Sequence, residues 1–189
     1  MMKKSHLRAK IAFLIAAVLS AAIDLATKSI FFDPACVDGG KAAPQNVIID
    51  GFFYIRSAGN EGGVFGILQG STWTLVILAA LALAAVVLML LRLDGRQKWM
   101  HIALGLVLGG AIGNLYDRIF FLKPDGSHAH YVRDFLDFVI FGWDYPIFNA
   151  ADVFICVGAA LIFLSVLFGP YGHGKQTKAD VSKAKGAAR

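Results

Sequence analysis

Gly109-Gly110-Ala111-Ile112-Gly113-Asn114-Leu115-Tyr116-Asp117-Arg118 closes an apolar run at residues 99–122 with an amide, an acid and a base. Gly105, Gly109, Gly110 and Gly113 punctuate that run, and small residues let helices approach closely in lipid. Helical spacing at i, i+3 and i+4 then gathers the amide of Asn114, the carboxylate of Asp117 and the guanidinium of Arg118 on one face. Such a face either locks neighbouring helices through a polar network or carries chemistry.

Working outward, residues 73–91 form an uninterrupted apolar run, long enough to cross about 30 Å of hydrocarbon. A short turn containing Arg92, Asp94, Gly95, Arg96 and Lys98 joins it to residues 99–122. A further span at residues 147–168 ends at Gly169-Pro170, and the first, residues 11–32, follows the basic start Lys3, Lys4, Arg8 and Lys10. That start also fits a cleaved secretory leader. Asp24 and Lys28 favour a retained helix, because they pair at i and i+4 with the acid N-terminal to the base and a leader has no need of them. The composition agrees: the chain is 57% hydrophobic with a mean hydropathy of +0.63, above that of ordinary soluble domains.

Four spans put both termini on one side of the membrane. Lysine and arginine concentrate at the termini and in the 92–98 turn, so these face the cytoplasm and the loops 33–70 and 123–146 face outward. The net charge of +5 therefore reflects span flanks, and nucleic acid is not a partner. Residues 1–170 form one membrane domain, and 171–189 a basic disordered tail. The outer loop 33–70 is turn-rich, with an alternating aromatic stretch at 52–55 that predicts short strands, followed by the glycine-rich Asn60-Glu61-Gly62-Gly63-Val64-Phe65-Gly66. The expected architecture is mainly α: a polytopic membrane protein of four helices with a small outward-facing β-sheet and an outer loop or short amphipathic helix.

The groups able to carry chemistry lie at the outer boundary. Asn149 and Asp152 share a face at i and i+3 in Phe148-Asn149-Ala150-Ala151-Asp152, ahead of a wholly apolar helix. A carboxylate there costs energy unless it is partnered, protonated or used. Asp134 and Asp137 bracket Phe135-Leu136 in what reads as an amphipathic turn, and either carboxylate could reach Asp152. Two converging carboxylates share a proton, so one can activate water while the other donates to the substrate. That chemistry needs neither metal nor cofactor. The competing groups are weaker. His128 and His130 with Asp125 suggest a metal, Ser127 adjoins His128, and Cys156 has only Asp152 at helical spacing. Cys36 and Cys156 read as free thiols.

Taken in order, Asp24 and Lys28, Asn60-Glu61-Gly62-Gly63-Val64-Phe65-Gly66, the 109–118 stretch, Val132-Arg133-Asp134-Phe135 and Phe148-Asn149-Ala150-Ala151-Asp152 resemble the successive motifs of the lipoprotein signal peptidases (signal peptidase II). The resemblance runs from the first span to the fourth. It implies an aspartic endopeptidase of the bacterial inner membrane that cuts prolipoproteins just before a diacylglyceryl-modified cysteine. It implies Asp134 and Asp152 as the catalytic dyad, with Asp137 supporting. Asn60, Asn114, Arg118 and Asn149 then line the substrate site, while Asp24 and Lys28 hold the helices or the site periphery. It also implies that residues 52–66 belong to the sheet, that a loop near 134–141 helps cover the site, and that the enzyme works among membrane lipids as a monomer. Two features depart from the family pattern. Arg56-Ser57-Ala58-Gly59 lengthens the spacing before Asn60, and Arg133 stands where an apolar residue is common.

A rival reading from another class is a small ion- or proton-coupled transporter or channel using Asp24, Lys28, Arg118 and Asp152. The absence of an internal repeat weighs against it. Intramembrane aspartic proteases of the presenilin kind carry a Gly-x-Gly-Asp signature that this chain lacks. In a purely structural subunit the polar faces would serve packing alone.

Overall fold

The computed structural model describes residues 2–37, 46–62 and 70–168. Four long helices, α1 (Met2–Phe31), α2 (Thr72–Arg92), α3 (Lys98–Phe120) and α4 (Ala150–Phe168), are apolar and long enough to cross a membrane. Strands β1 (Asn46–Ile49), β2 (Phe53–Asn60), β3 (Val132–Ile140) and β4 (Trp143–Asp144) form one antiparallel sheet in sequential order. The helix bounds fall within a few residues of those expected, except that α1 begins well before residue 11. No glycine or proline precedes residue 33 to stop it. The glycines Gly63 and Gly66, the turn residues Gly39, Gly40 and Pro44, and the basic tail 171–189 lie outside the described residues.

Helix α3 is the centre of the bundle, and its glycines explain why. A Cβ at Gly105, Gly109 or Gly113 would run into Phe13 and Ala16, Ser20 and Ala17, or Asp24, all on α1. The four-residue spacing of these glycines makes one groove for α1. Gly110 faces Ala151 and Ile155 of α4, and Gly158 of α4 returns the contact at Ala103 and Val107. Helix α2 packs less deeply, contributing Val86 to an apolar cluster with Phe13, Met100 and Leu104. Elsewhere the outer faces expose Leu14, Leu81 and Phe163, as lipid-facing surfaces do.

The sheet corrects one expectation. Residues 134–138 form no amphipathic turn or short helix; they lie within β3. Its β-branched and aromatic residues suit an extended strand, and β2 pairs with it along most of its length, placing Tyr54 opposite Asp137 and Ala58 opposite Asp134. Between Ile55 and Ala58 the register shifts, with one more residue on β2 than on β3. This β-bulge absorbs the lengthened Arg56–Gly59 spacing and returns Asn60 to a position opposite Val132. Ser57, inside the bulge, accepts the Asp33 N–H at 2.8 Å, which ties the sheet to the end of α1.

Candidate active site

Asn-Ala-Ala-Asp is a helix-start motif before it is anything else. The Asn149 side-chain oxygen accepts the Asp152 N–H at 3.1 Å, and the Asp152 carboxylate accepts the Asn149 N–H at 3.2 Å. This is a reciprocal capping box with Asp152 at the third helical position. The Ala151 N–H is taken by Asp24 at 2.9 Å, so α1 also caps α4. The Asp152 carboxylate is thereby held at the entrance of α4, in its first turn, where a helix presents its unpaired N–H groups.

Phe148 brings β3 alongside. Its carbonyl accepts the N–H groups of Phe135 and Leu136, and its own N–H donates to Leu136. Asn149 consequently sits next to Asp134 and donates Nδ2 to Asp134 Oδ1 at 2.6 Å. Asn60 donates Nδ2 to Asp134 Oδ2 at 2.9 Å, its own oxygen being occupied by the Gly62 N–H at 3.0 Å. On the other side Asn114 donates Nδ2 to Asp152 Oδ1 at 2.9 Å. Asn149 thus touches both carboxylates, and Asn114 joins Asn149 to Asp152.

Asp134 comes to this cluster and Asp137 does not. Residues three apart on a strand point to opposite faces, and Asp137 turns away to pair with Arg56 at 2.8 Å. Burial and the neighbouring Asp152 carboxylate push the Asp134 pKa up to about 8, against the opposing pull of the Asn60 and Asn149 amides and the Lys28 charge. Both causes favour the protonated carboxyl at Asp134.

A cavity of about 860 Å³ opens beside the cluster. Asn60, Asn114, Arg118, Asp134 and Asp152 form its polar wall, and Phe148, Val153, Cys156 and Val157 its apolar one. Arg118 donates to the Gly62 carbonyl at 2.8 Å, while its buried Nε has no partner among the described residues. Tyr145 reaches the cavity from just beyond the β3–β4 hairpin.

Asn114, Asp117 and Arg118 do not act as one face. Successive helix residues diverge by about 100°, so Arg118 lines the cavity while Asp117 faces α1 and β3. There Asp117 meets Lys28 at 3.0 Å and Arg133 at 2.7 Å, and Lys28 also pairs with Asp24 at 2.8 Å. The i, i+4 pairing of Asp24 and Lys28 is legible in the sequence, whereas the second buried pair, Asp117 with Arg133, is not. Its one sequence signal is Arg133 itself, which stands where an apolar residue is common.

The other candidates lie apart. The rings of His128 and His130 stack on each other, and His130 also packs on Trp73. Asp125 is engaged by the Ser127 N–H and hydroxyl. Among the described residues no three His, Cys, Asp or Glu side chains converge as a metal site. Cys156 borders the cavity, and Cys36 and Cys156 are unpaired thiols.

Comparison with known proteins gives one consistent result. The family described as signal peptidase (SPase) II, Peptidase_A8, matches residues 15–168. The lipoprotein signal peptidase of Bacillus pumilus (strain SAFR-032) is 42% identical over 131 residues, 69% of this chain and 77% of that protein. The lipoprotein signal peptidase of Bacillus subtilis (strain 168) is 38% identical over 131 residues, 69% of this chain and 78% of that protein. A bacterial membrane enzyme solved by the in meso method at 2.3 Å superposes with a TM-score of 0.71 at 29% identity, covering 87% of this chain and 93% of the other. A second, at 1.9 Å, gives 0.65 at 31% identity over 87% and 94%. With a four-helix membrane frame, paired aspartates beside a cavity and a family match from the first span to the last, this chain belongs to the lipoprotein signal peptidases, the signal peptidase II family of bacterial membrane aspartic peptidases.

Proposed function

We propose that Asp134 and Asp152 are the catalytic dyad with which this signal peptidase II cleaves prolipoproteins just before a diacylglyceryl-modified cysteine. The observation that carries the reading is Asn149, which hydrogen-bonds both carboxylates at the wall of a cavity that is polar on one side and apolar on the other. Asp152 acts as the base: its carboxylate takes a proton from a water as the water oxygen attacks the scissile carbonyl carbon. Asp134 enters protonated, hydrogen-bonds the developing oxyanion and stabilises the tetrahedral intermediate. As the C–N bond breaks, the leaving amine nitrogen receives a proton from the dyad, and the shared proton is restored. Asn60, Asn114 and Asn149 keep N–H donors against the two carboxylates, and Arg118, on the cavity wall, offers its guanidinium to a substrate carbonyl.

The lipid enters through the apolar wall. Val153, Cys156 and Val157 lie along α4 away from its polar start, so acyl chains resting on them leave the cysteine level with Asp152. In this arrangement the sheet and the dyad lie on the outer side of the membrane and both termini lie in the cytoplasm, as the distribution of lysine and arginine supports.

An in vitro cleavage assay with precursor carrying or lacking the diacylglyceryl group tests the substrate assignment. Removing the acyl chains should lower kcat/KM by about two orders of magnitude or more, since each buried methylene contributes about 0.8 kcal/mol. Equal processing of both precursors would remove the lipid from the specificity.

The acid role of Asp134 sets a pH dependence. Its pKa stands above the ordinary carboxylate value, so the proton is present below about pH 8 and lost above it. The rate kcat/KM should therefore fall as pH rises through about 8, approaching tenfold per unit on the basic side. A profile that stays level to well above that value would assign the proton elsewhere.

A further inference from the structure

Beneath the dyad lies a buried cluster of two acids and two bases: Asp24, Asp117, Lys28 and Arg133. Lys28 is fully buried, and an ammonium has three donors and no acceptor. Its Nζ lies 2.8 Å from Asp24, 3.0 Å from Asp117 and 2.9 Å from the side-chain oxygen of Asn114. Lys28 thus makes two ion pairs and one hydrogen bond, and the hydrogen bond goes to Asn114. The third contact fixes the polarity of what lies above it. With its oxygen held by Lys28, Asn114 can offer only its NH₂ group to Asp152. A flipped amide would set NH₂ against the ammonium and oxygen against the carboxylate, two repulsions in place of two hydrogen bonds.

The same oxygen of Asn114 accepts from Asn149 Nδ2 at 3.1 Å. That nitrogen gives its other proton to Asp134, while the Asn149 oxygen caps α4. Asn114 therefore takes its orientation from one ammonium, and the Asn149 amide is fixed jointly by that Asn114 oxygen and by the Asp152 N–H. Arg133 keeps that ammonium in place. Its Nε and Nη2 hold Asp117 Oδ1 at 3.0 and 2.7 Å, its backbone N–H holds Oδ2 at 3.1 Å, and its guanidinium covers the Phe121 ring at 4.3 Å. Two acids then face two bases. Without Arg133, Lys28 alone would face both buried acids and be drawn from Asn114 towards Asp117.

We propose that Lys28 is a positioning residue for the peptidase reaction, setting the orientation of the Asn114 and Asn149 amides towards Asp152 and Asp134, and that Arg133 holds it to that task by neutralising Asp117. The inference rests on the dyad reading above.

The charge-balanced double variant Asp24→Asn/Lys28→Met tests it, because Asp117 keeps Arg133 and the amide oxygen at position 24 can still accept the Ala151 N–H. Turnover of lipid-modified precursor is measured in the intact, reconstituted enzyme, with the folded fraction followed by thermal unfolding. Per folded molecule, kcat should fall roughly a hundredfold, the scale on which misplaced catalytic groups are felt, while KM changes little. The basic limb of the pH profile should also move upward. Of the charges around Asp134, namely Lys28, Asp152 and Arg118, the variant removes one that lowers its pKa, and loss of the Asp24 carboxylate paired with Lys28 offsets part of that shift. A folded double variant with parental kcat and an unmoved limb overturns the proposal.

If the double variant does not fold, Arg133→Gln decides. Its kcat should drop about tenfold and recover in part in Arg133→Lys; undiminished kcat in Arg133→Gln overturns the proposal. Asp134→Asn and Asp152→Asn are run alongside. Turnover in those two sinks the dyad reading, whereas their inactivity beside an undiminished Lys28 or Arg133 variant sinks only the positioning role.

Discussion

Purified Asp152→Asn enzyme should process lipid-modified precursor about 10² to 10⁴ times more slowly than the parent, the range over which general acid–base groups act. The substitution removes the base and little else. An amide at position 152 keeps an oxygen for either the Asn149 N–H or the Asn114 NH₂, so most of the capping box that starts α4 survives. Asp134→Asn should be equally slow for a different reason, the loss of the acid. It should also be less stable, because both neighbours of Asp134 are amide donors, and an NH₂ group there meets another NH₂. Asp137→Asn is the internal contrast. Its carboxylate faces Arg56 on the other side of β3, so turnover should stay at the parental level. Initial rates on a precursor peptide in reconstituted membranes, normalised to folded enzyme, distinguish these outcomes, and normal processing by the Asp152 variant would end the dyad assignment.

The second large effect is on folding. Gly109→Ala should destabilise the bundle by about 1–3 kcal/mol or more, the cost of overpacking a close-fitted interior. The added methyl would strike the Ser20 hydroxyl and the Ala17 carbonyl on α1. The carbonyl belongs to a helix backbone and cannot rotate aside. Helix α1 must therefore shift, and it carries Asp24 and Lys28, so activity should fall along with the unfolding temperature. Thermal unfolding of the purified protein checks the first effect and turnover the second. An unchanged transition would mean that α1 and α3 are less closely seated than Gly109 requires.

Much of this protein is legible from its residues because the membrane narrows the choices. Apolar runs of spanning length can only be helices in hydrocarbon, and glycines spaced four apart on residues 99–122 mark where another helix lies. Asn149 and Asp152 are legible for a local reason: three residues apart, they share a helical turn whatever the rest of the chain does. The family motifs add the pairing of Asp134 with Asp152, a choice that spacing left open.

What the residues alone left open depends on partners distant in the chain. An amphipathic turn and a strand read alike over residues 134–138, and pairing with β2 decides for the strand, which sends Asp134 and Asp137 to opposite faces. The bulge at residues 55–58 is invisible without the strand opposite, yet it is what carries Asn60 back to Asp134. Arg133 reads as an anomaly until Asp117 is placed against it, sixteen residues earlier on another element.

The four helices, the polar start of α4 and the candidate acids follow from local sequence, because period, length and capping are properties of a few neighbouring residues. Only the folded arrangement shows that Asp134 and Asp137 leave β3 on opposite faces, how an extra residue is absorbed, and how two buried bases are shared between two buried acids. Charges and hydrogen-bond donors in a dry interior are satisfied only by whatever the fold brings within about 3 Å, and no local pattern records that.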